Sequence, residues 1–323
     1  MNSSATAALD DLVAQGRCKR NVPLAPLTTY KFGGTAAYYS EPGSVDELRD
    51  TLAAANREKM AVLVLGRGSN IVVSDSGFAG LVVRPEGEFA ELHIGNEGVV
   101  TAGAAVPLPR LARDTVHAGR GGLEWCVGIP GSVGGAVRMN AGGHGSDTAT
   151  WLQYATVLDG VAGATRRATP ADLDLSYRHS NLAQTDIVVT ASFRTVARDQ
   201  AEGARLLREV TQWRKQHQPG GTLNAGSVFK NPPGESAGRL IDSLGLKGLR
   251  RGGASVSERH ANFFVADTTA KAQDVYDLAA AVRGRVGEET GIWLETEIRF
   301  VGPFDVVDDA TARDKDDSGG GPG

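Results

Sequence analysis

The chain predicts an α+β fold in more than one domain, and three observations carry that prediction. Strand-like and helix-like segments alternate along 323 residues, and at roughly 100–200 residues per domain two or three domains are expected. Two glycine-rich loops, Gly66 to Asn70 and Gly128 to Ala136, each read as following a strand. The first has Gly66 and Gly68 but Ile71 where a G-x-G-x-x-G fingerprint needs its third glycine. Alternation alone also allows a doubly wound sheet; the broken fingerprint argues against one.

The elements follow in chain order. Ser44-Val45-Asp46-Glu47 reads as a capping box that opens a helix with Leu48, Leu52 and Ala55 on one face. Val62 to Leu65 is a short buried strand, followed by the first glycine loop and the apolar run Ile71-Val72-Val73. Leu108, Leu111, Ala112 and Thr115 give helical spacing between Pro107 and Ala118. The second loop then leads into Asn140-Ala141-Gly142-Gly143. Strands are expected at Leu152–Leu158 and Ile187–Thr195, and a helix over Gln200 to Gln216 hands the chain to its last domain. There a helix from Ser236 stops at Gly245, Phe263–Ala266 is a strand, and a long helix from about Thr269 closes at Gly291. Ile292–Val301 is the final strand.

Composition narrows the function. Apolar residues at 41% and charged residues at 22% describe an ordinary soluble globular protein. Glycine is the outlier: 42 of 323 residues, about twice the usual ~7%, without collagen periodicity. The formal charge of −4 resides in the segment after Pro303, with Asp305, Asp308, Asp309, Asp314, Asp316 and Asp317 against Arg313 and Lys315. The body is neutral, so neither a nucleic acid nor a membrane surface is an expected partner. No apolar run reaches the ~18 residues of a membrane span. Cys18 and Cys126 lack metal-ligand spacing, no metal is expected, and a reducing cytoplasm is the expected compartment.

The most informative segment is Gly226-Ser227-Val228-Phe229-Lys230-Asn231-Pro232, which sets a serine, a lysine and an asparagine among glycine and proline. It reads as an active-site loop. Upstream lies Tyr177-Arg178 and downstream Glu295-Thr296-Glu297. Taken singly, each has a plainer explanation: Arg178 as a surface ion-pair residue, Ser227 as a turn former and Glu297 as a solvated strand residue. In a regular strand Glu295 and Glu297 share a face, so spacing leaves both available. Two loops rich in backbone N–H groups suit the many oxygens of a dinucleotide better than a single nucleotide. No G-x-x-x-x-G-K-[ST] is present, which disfavours phosphoryl transfer through a P-loop.

Thr29-Tyr30-Lys31-Phe32-Gly33-Gly34, Leu65 to Asn70, Gly128 to Asn140, Tyr177-Arg178, Gly226 to Pro232, Gly245-Leu246-Lys247-Gly248 and Leu294 to Arg299 resemble, in this order, the UDP-N-acetylenolpyruvoylglucosamine reductases. The resemblance runs from about Asn21 to Gly302. It implies a monomeric flavoenzyme of bacterial cell-wall synthesis, with non-covalent FAD, that uses NADPH to reduce UDP-N-acetylglucosamine enolpyruvate to UDP-N-acetylmuramate. The implied fold is a two-lobed FAD-binding domain of the vanillyl-alcohol-oxidase (PCMH) type followed by an α+β substrate-binding domain. The expected divisions are an N-terminal helix and extension over 1–20, the FAD domain over 21–202 with lobes 21–86 and 87–202, the substrate domain over 203–302, and a disordered acidic, glycine-rich tail over 303–323.

The resemblance also assigns residues. Gly66, Arg67, Gly68, Ser69 and Asn70, with Gly128, Ile129, Pro130, Gly131, Ser132, Gly134, Gly135 and Ala136, would hold the flavin. Hydride from FAD N5 to the terminal enolpyruvyl carbon would build an enolate. Arg178 is the implied catalytic arginine, and its fixed fork suits the substrate carboxylate. Ser227 is the implied proton donor to the second carbon, a weak acid matched to a strong base. Glu297, rather than Glu295, is the implied acid at the enolate, which requires a raised pKa. Tyr177, Asn231 and Asp267 are the implied substrate contacts, with Asn231 at the nucleotide phosphates; Lys230, from the sequence alone, is a candidate substrate contact that helps stabilise the Ser227 alkoxide. Thr296 stands where the family usually has proline. The stretch between Arg178 and Ser227 is short for the family, so no inserted flap over the substrate is expected. The alternatives are another FAD oxidase or dehydrogenase of this fold, often marked by a histidine-linked flavin, and a non-catalytic flavin-binding paralogue, which would lack Arg178, Ser227 or Glu297.

Overall fold

The computed structural model describes residues 7–95 and 97–306 and divides into two compact units. The first comprises residues up to Val22 with Ala36–Gly68 and Ala79–Gln216; the second comprises Pro23–Thr35, Ser69–Phe78 and the chain from His217 on. This cuts the sequence differently from the expected boundaries at 20/21, 86/87 and 202/203. Two early segments fold with the C-terminal unit because their apolar side chains are buried there. Ile71–Val73 pairs in parallel with Arg299–Val301, and Tyr30, 1% exposed, donates its hydroxyl to the Phe264 carbonyl at 3.0 Å.

The first unit holds two main sheets, besides the two-stranded pairings of Gly142–Gly143 with Ser146–Asp147 and Arg120–Gly121 with Val196–Ala197. One has the order Lys19–Pro23, Thr35–Ser40, Phe78–Val83, Val62–Val64, the last two parallel. The other has the order Thr165–Ala168, Leu152–Asp159, Asp186–Arg194, Val99–Gly103, Leu92–Ile94, and all its pairings are antiparallel. That pattern is not a doubly wound sheet. The helix Val45–Arg57 buries Leu48 and Leu52 beside Leu9, Leu81 and Phe89. Its cap departs from the expected box: Ser44 accepts from the Glu47 N–H at 3.2 Å, but the Glu47 carboxylate reaches the N–H of Gly43. The helix Leu108–His117 buries Leu111 and Ala112 against Trp125 and Phe193.

The helix Gln200–His217 belongs largely to the first unit, because Gly203 lies on Val116 and Val210 on Gly128. Residues 179–226 hold this helix and the strands Asp186–Arg194 and Val196–Ala197.

The second unit has a three-stranded antiparallel sheet, Arg250–Arg251, Ala254–Val256, Phe264–Ala266, and the helices Ala237–Ser243 and Ala272–Thr290. Val275, Leu278, Val282 and Val286 of the long helix form its core with Phe229, Phe264, Leu294 and Ile298. Each such side chain contributes about 1.5–3 kcal/mol by leaving water. Gly291, at φ 73°, ends that helix in a left-handed cap. Asp75 caps its start, accepting from the N–H groups of Ala272 and Gln273 at 3.0 and 3.1 Å.

Two expectations are corrected here. The final strand is Arg299–Val301 alone, not Ile292–Val301. The Val228 carbonyl accepts from both the Glu297 and Ile298 N–H groups, a local irregularity that ends the ladder. The tail also begins later than Pro303. Phe304 stacks on Tyr276 at 4.9 Å, and Asp305 exchanges backbone bonds with the Gln273 amide. The rest of the expected tail, from residue 307, lies outside the described residues.

Candidate functional site

In the first unit the two glycine loops meet. Gly66 lies so close to Ser132 that an added Cβ would stand 2.5 Å from its hydroxyl oxygen, and Arg67 Nε donates to the Pro130 carbonyl at 3.0 Å. Both glycine-loop predictions therefore fall on one wall. Ser69 and Asn70, expected on the same loop, belong to the second unit. There the Asn70 amide donates to the Glu297 carbonyl at 3.1 Å.

The second loop rises from the turn Glu124–Gly128 and enters the short helix Val133–Arg138. Its backbone is anchored where the Leu108 N–H donates to Gly131, Val133 to Val106 and Gly134 to Ala104. Ile129 and Ala136 pack into the core, whereas a Cβ at Gly135 would meet nothing closer than Ser132 Oγ at 3.8 Å.

A cavity of about 480 Å³ opens on this wall, lined by Gly66, Arg67, Ser132, Gly134 and Gly135. That volume lies within the usual range for cofactor sites. Arg84, Arg110 and Arg138 also line it. Sequence reasoning missed these three, since nothing in their spacing links them. A diphosphate brings two negative charges, and four guanidinium groups around glycine backbone fit it well. The residues present thus suit a flavin dinucleotide.

Elsewhere in this unit, Tyr177 and Arg178 form the tip of a tight turn in which Ser176 and His179 exchange backbone bonds of 3.3 and 3.1 Å. Arg178 has φ 53°, unusual for a side-chain-bearing residue, and its guanidinium lies 5.2 Å from the centre of the Tyr177 ring. Its Nη2 donates to the Gly142 carbonyl at 3.2 Å. Next to Gly142, His144 packs edge-on against Trp213 at 5.1 Å, and burial and then the nearby Arg214 hold its pKa below the ordinary histidine value.

In the second unit, the Ser227 loop is fixed from beneath by Asn262, which is 3% exposed. Its side-chain oxygen accepts from the Phe229 N–H at 2.9 Å, its amide donates to the Phe229 carbonyl at 2.8 Å, and its own carbonyl accepts from the Val228 N–H at 2.8 Å. Gly226, at φ 79°, turns the chain into Ser227. The Glu297 N–H donates to Val228 at 2.7 Å, so the backbone of Glu297 lies against the residue after Ser227.

The two glutamates separate here. Glu295 is exposed and takes Lys230 Nζ at 2.6 Å, whereas Glu297 is half-buried. Asn231 accepts from the Ala237 N–H at 3.0 Å, at the start of the helix Ala237–Ser243. Asp267 accepts from the Thr269 hydroxyl and N–H and pairs with Arg250; these bonds, the hydroxyl's first, hold its pKa below the usual carboxylate value. Among the described residues no cluster of His, Cys, Asp and Glu could hold a metal ion, and no helix is long and apolar enough to cross a membrane.

Comparison with known proteins gives two family matches: residues 36–169 match an FAD binding domain, and residues 218–301 match the C-terminal domain of UDP-N-acetylenolpyruvoylglucosamine reductase. A curated reductase of that name from Synechococcus sp. (strain JA-3-3Ab) is 40% identical over 306 residues, covering 94% of this chain and 96% of that protein. One from Symbiobacterium thermophilum is 43% identical over 290 residues, covering 89% and 93%. The crystal structure of the Thermus caldophilus reductase superimposes with a TM-score of 0.76 at 38% identity, covering 88% of this chain and 99% of that one.

Proposed function

The chain belongs to the UDP-N-acetylenolpyruvoylglucosamine reductase family of FAD-containing oxidoreductases, and from that premise we propose that it uses NADPH to reduce UDP-N-acetylglucosamine enolpyruvate to UDP-N-acetylmuramate. The observation that carries this reading is the Ser227 loop, held rigidly by Asn262 with the backbone of Glu297 against it. Arg67, the two glycine loops and the arginines 84, 110 and 138 would hold the flavin. FAD, when bound, would supply hydride transfer from NADPH to the terminal enolpyruvyl carbon.

The protein's own groups then manage charge and protons. As electrons move toward the substrate carboxylate, Arg178 stabilises the growing negative charge through a paired, charge-assisted contact. Ser227 gives its hydroxyl proton to the second carbon and recovers it from water. Glu297 acts in its protonated form, donating to the enolate oxygen. Tyr177, Lys230, Asn231 and Asp267 are assigned to the substrate, with Asn231 at the diphosphate. One hydride and one proton are added across the double bond, and NADPH becomes NADP⁺. In this reading the protein works as a cytoplasmic monomer on a small sugar nucleotide.

The test is spectroscopic. Purified protein should carry a flavin absorbance band and oxidise NADPH only when UDP-N-acetylglucosamine enolpyruvate is present. A colourless protein unable to take up FAD, or NADPH oxidation indifferent to that substrate, would overturn the reading.

A further inference from the structure

We propose that Asn140 is a positioning residue for Arg178, fixing both the backbone from which the guanidinium projects and the carbonyl that receives its tip. The inference rests on the assignment of Arg178 to the substrate carboxylate.

Asn140 is 2% exposed and stands at φ 39°. Its side-chain oxygen accepts from the Ala149 N–H at 2.9 Å. Its amide donates to the Ser176 carbonyl at 2.9 Å and to Asp147 Oδ2 at 3.2 Å. Both acceptors lead to Arg178. The Ser176 carbonyl also accepts from the His179 N–H at 3.1 Å, so one amide proton locks the base of the turn whose tip is Tyr177-Arg178. Asp147 ends the hairpin of Gly142–Gly143 and Ser146–Asp147, and Gly142 supplies the carbonyl that accepts from Arg178 Nη2.

The left-handed backbone of Arg178, at φ 53°, is unfavourable for a residue that carries a side chain. Such a residue keeps its conformation only while its surroundings hold it. Tyr177 is 52% exposed, so at the tip of the turn polar bonds rather than apolar burial do the holding. Removing the donor to Ser176 lets the turn relax and carries the guanidinium off target, and a displacement of about 1 Å can cost a hundredfold in rate.

The experiment uses the flavin-loaded protein. Asn140→Asp keeps the acceptor for Ala149 but removes the donor to Ser176, and pairing it with Asp147→Asn relieves the new charge repulsion. In N140D/D147N we expect normal flavin content and normal reduction by NADPH. Reoxidation by UDP-N-acetylglucosamine enolpyruvate should slow about 10- to 100-fold, with weakened substrate binding followed by perturbation of the oxidised flavin spectrum. Adding the pair to Arg178→Ala should change reoxidation less than twofold, the mark of two groups acting as one.

A second variant, Asn140→Ser, whose hydroxyl is too short to span to Ser176, should behave alike. The proposal is overturned if N140D/D147N reoxidises within twofold of the parent, if its loss multiplies in full onto R178A, or if both Asn140 variants lose their flavin. The assignment of Arg178 fails separately, if R178A itself reoxidises at the parental rate.

Discussion

The Arg178 turn and the Ser227 loop solve the same problem by different means. Each presents a proposed catalytic side chain, and each rests on one buried asparagine, Asn140 at 2% exposure and Asn262 at 3%. Asn262 is sealed among Val228, Phe229 and Phe264, and it satisfies both backbone groups of Phe229. Asn140 reaches a turn whose tip is exposed and whose arginine carries an unfavourable φ. The loop is therefore buried as well as bonded, whereas the turn, packed at Leu175, presents an exposed tip. Damage beneath the loop should register first as lost stability, and damage beneath the turn as lost activity.

The comparison can be tested at both ends. The largest effect belongs to Ser227→Ala. Loss of the proton donor should cut substrate turnover about 10²- to 10⁴-fold, while NADPH still bleaches the flavin in a stopped-flow trace; turnover within tenfold of the parent would remove Ser227 from the mechanism. Next comes Asn262→Ala, which strands two buried backbone groups of Phe229 and should lower stability by about 2–5 kcal/mol in a urea melt. An equal loss for Asn140→Ala would erase the distinction drawn above.

Gly66→Ala touches neither asparagine. Its Cβ would displace the Ser132 hydroxyl, with no backbone in the way, and so reshape the proposed flavin wall rather than the core. FAD titrated into apoprotein should then bind roughly ten- to a hundredfold more weakly, with the urea midpoint little changed.

The smallest effect is one of pH, read beneath the loop. His260 Nδ1 accepts from the Asn262 N–H at 3.3 Å. Burial, and then the charges of Lys247 and His217, hold its pKa below the ordinary value. The unfolded chain therefore takes up the proton first as pH falls. The stabilisation is complete above about 6.5, the unfolded value, and declines below it as pH falls through the folded value. A melting temperature that falls less between pH 7.5 and 5 in His260→Gln than in the parent would bear this out; identical slopes would exclude His260.

Local grammar was readable from the sequence. The helix ends at Gly291 and the helix expected over Gln200 to Gln216 is found at Gln200–His217, because caps and spacing are written in neighbouring residues. The two glycine loops were visible, but their convergence, Gly66 against Ser132 and Arg67 on Pro130, joins segments far apart in the chain. What could not be read depends on contacts between distant segments. Arg84, Arg110 and Arg138 reach one cavity from separate elements, so no window of sequence contains them. Alternation left Glu295 and Glu297 equivalent, yet the shared acceptor at Val228 breaks the strand period, and Lys230 pairs with Glu295 alone. Nothing in the sequence marks Asn262 as the support of the loop, since its two bonds to Phe229 join segments far apart in the chain.

The pairing of Ile71–Val73 with Arg299–Val301 has a consequence for biogenesis. An apolar strand must wait for a partner more than 200 residues further along the chain. Until then its edge is open, and open apolar edges are where nascent chains aggregate or recruit chaperones. Long-range parallel pairing is also intrinsically slow to form. A ribosome-released fragment lacking the final strand would therefore be a poor folder, even though most of the first unit is already complete within it.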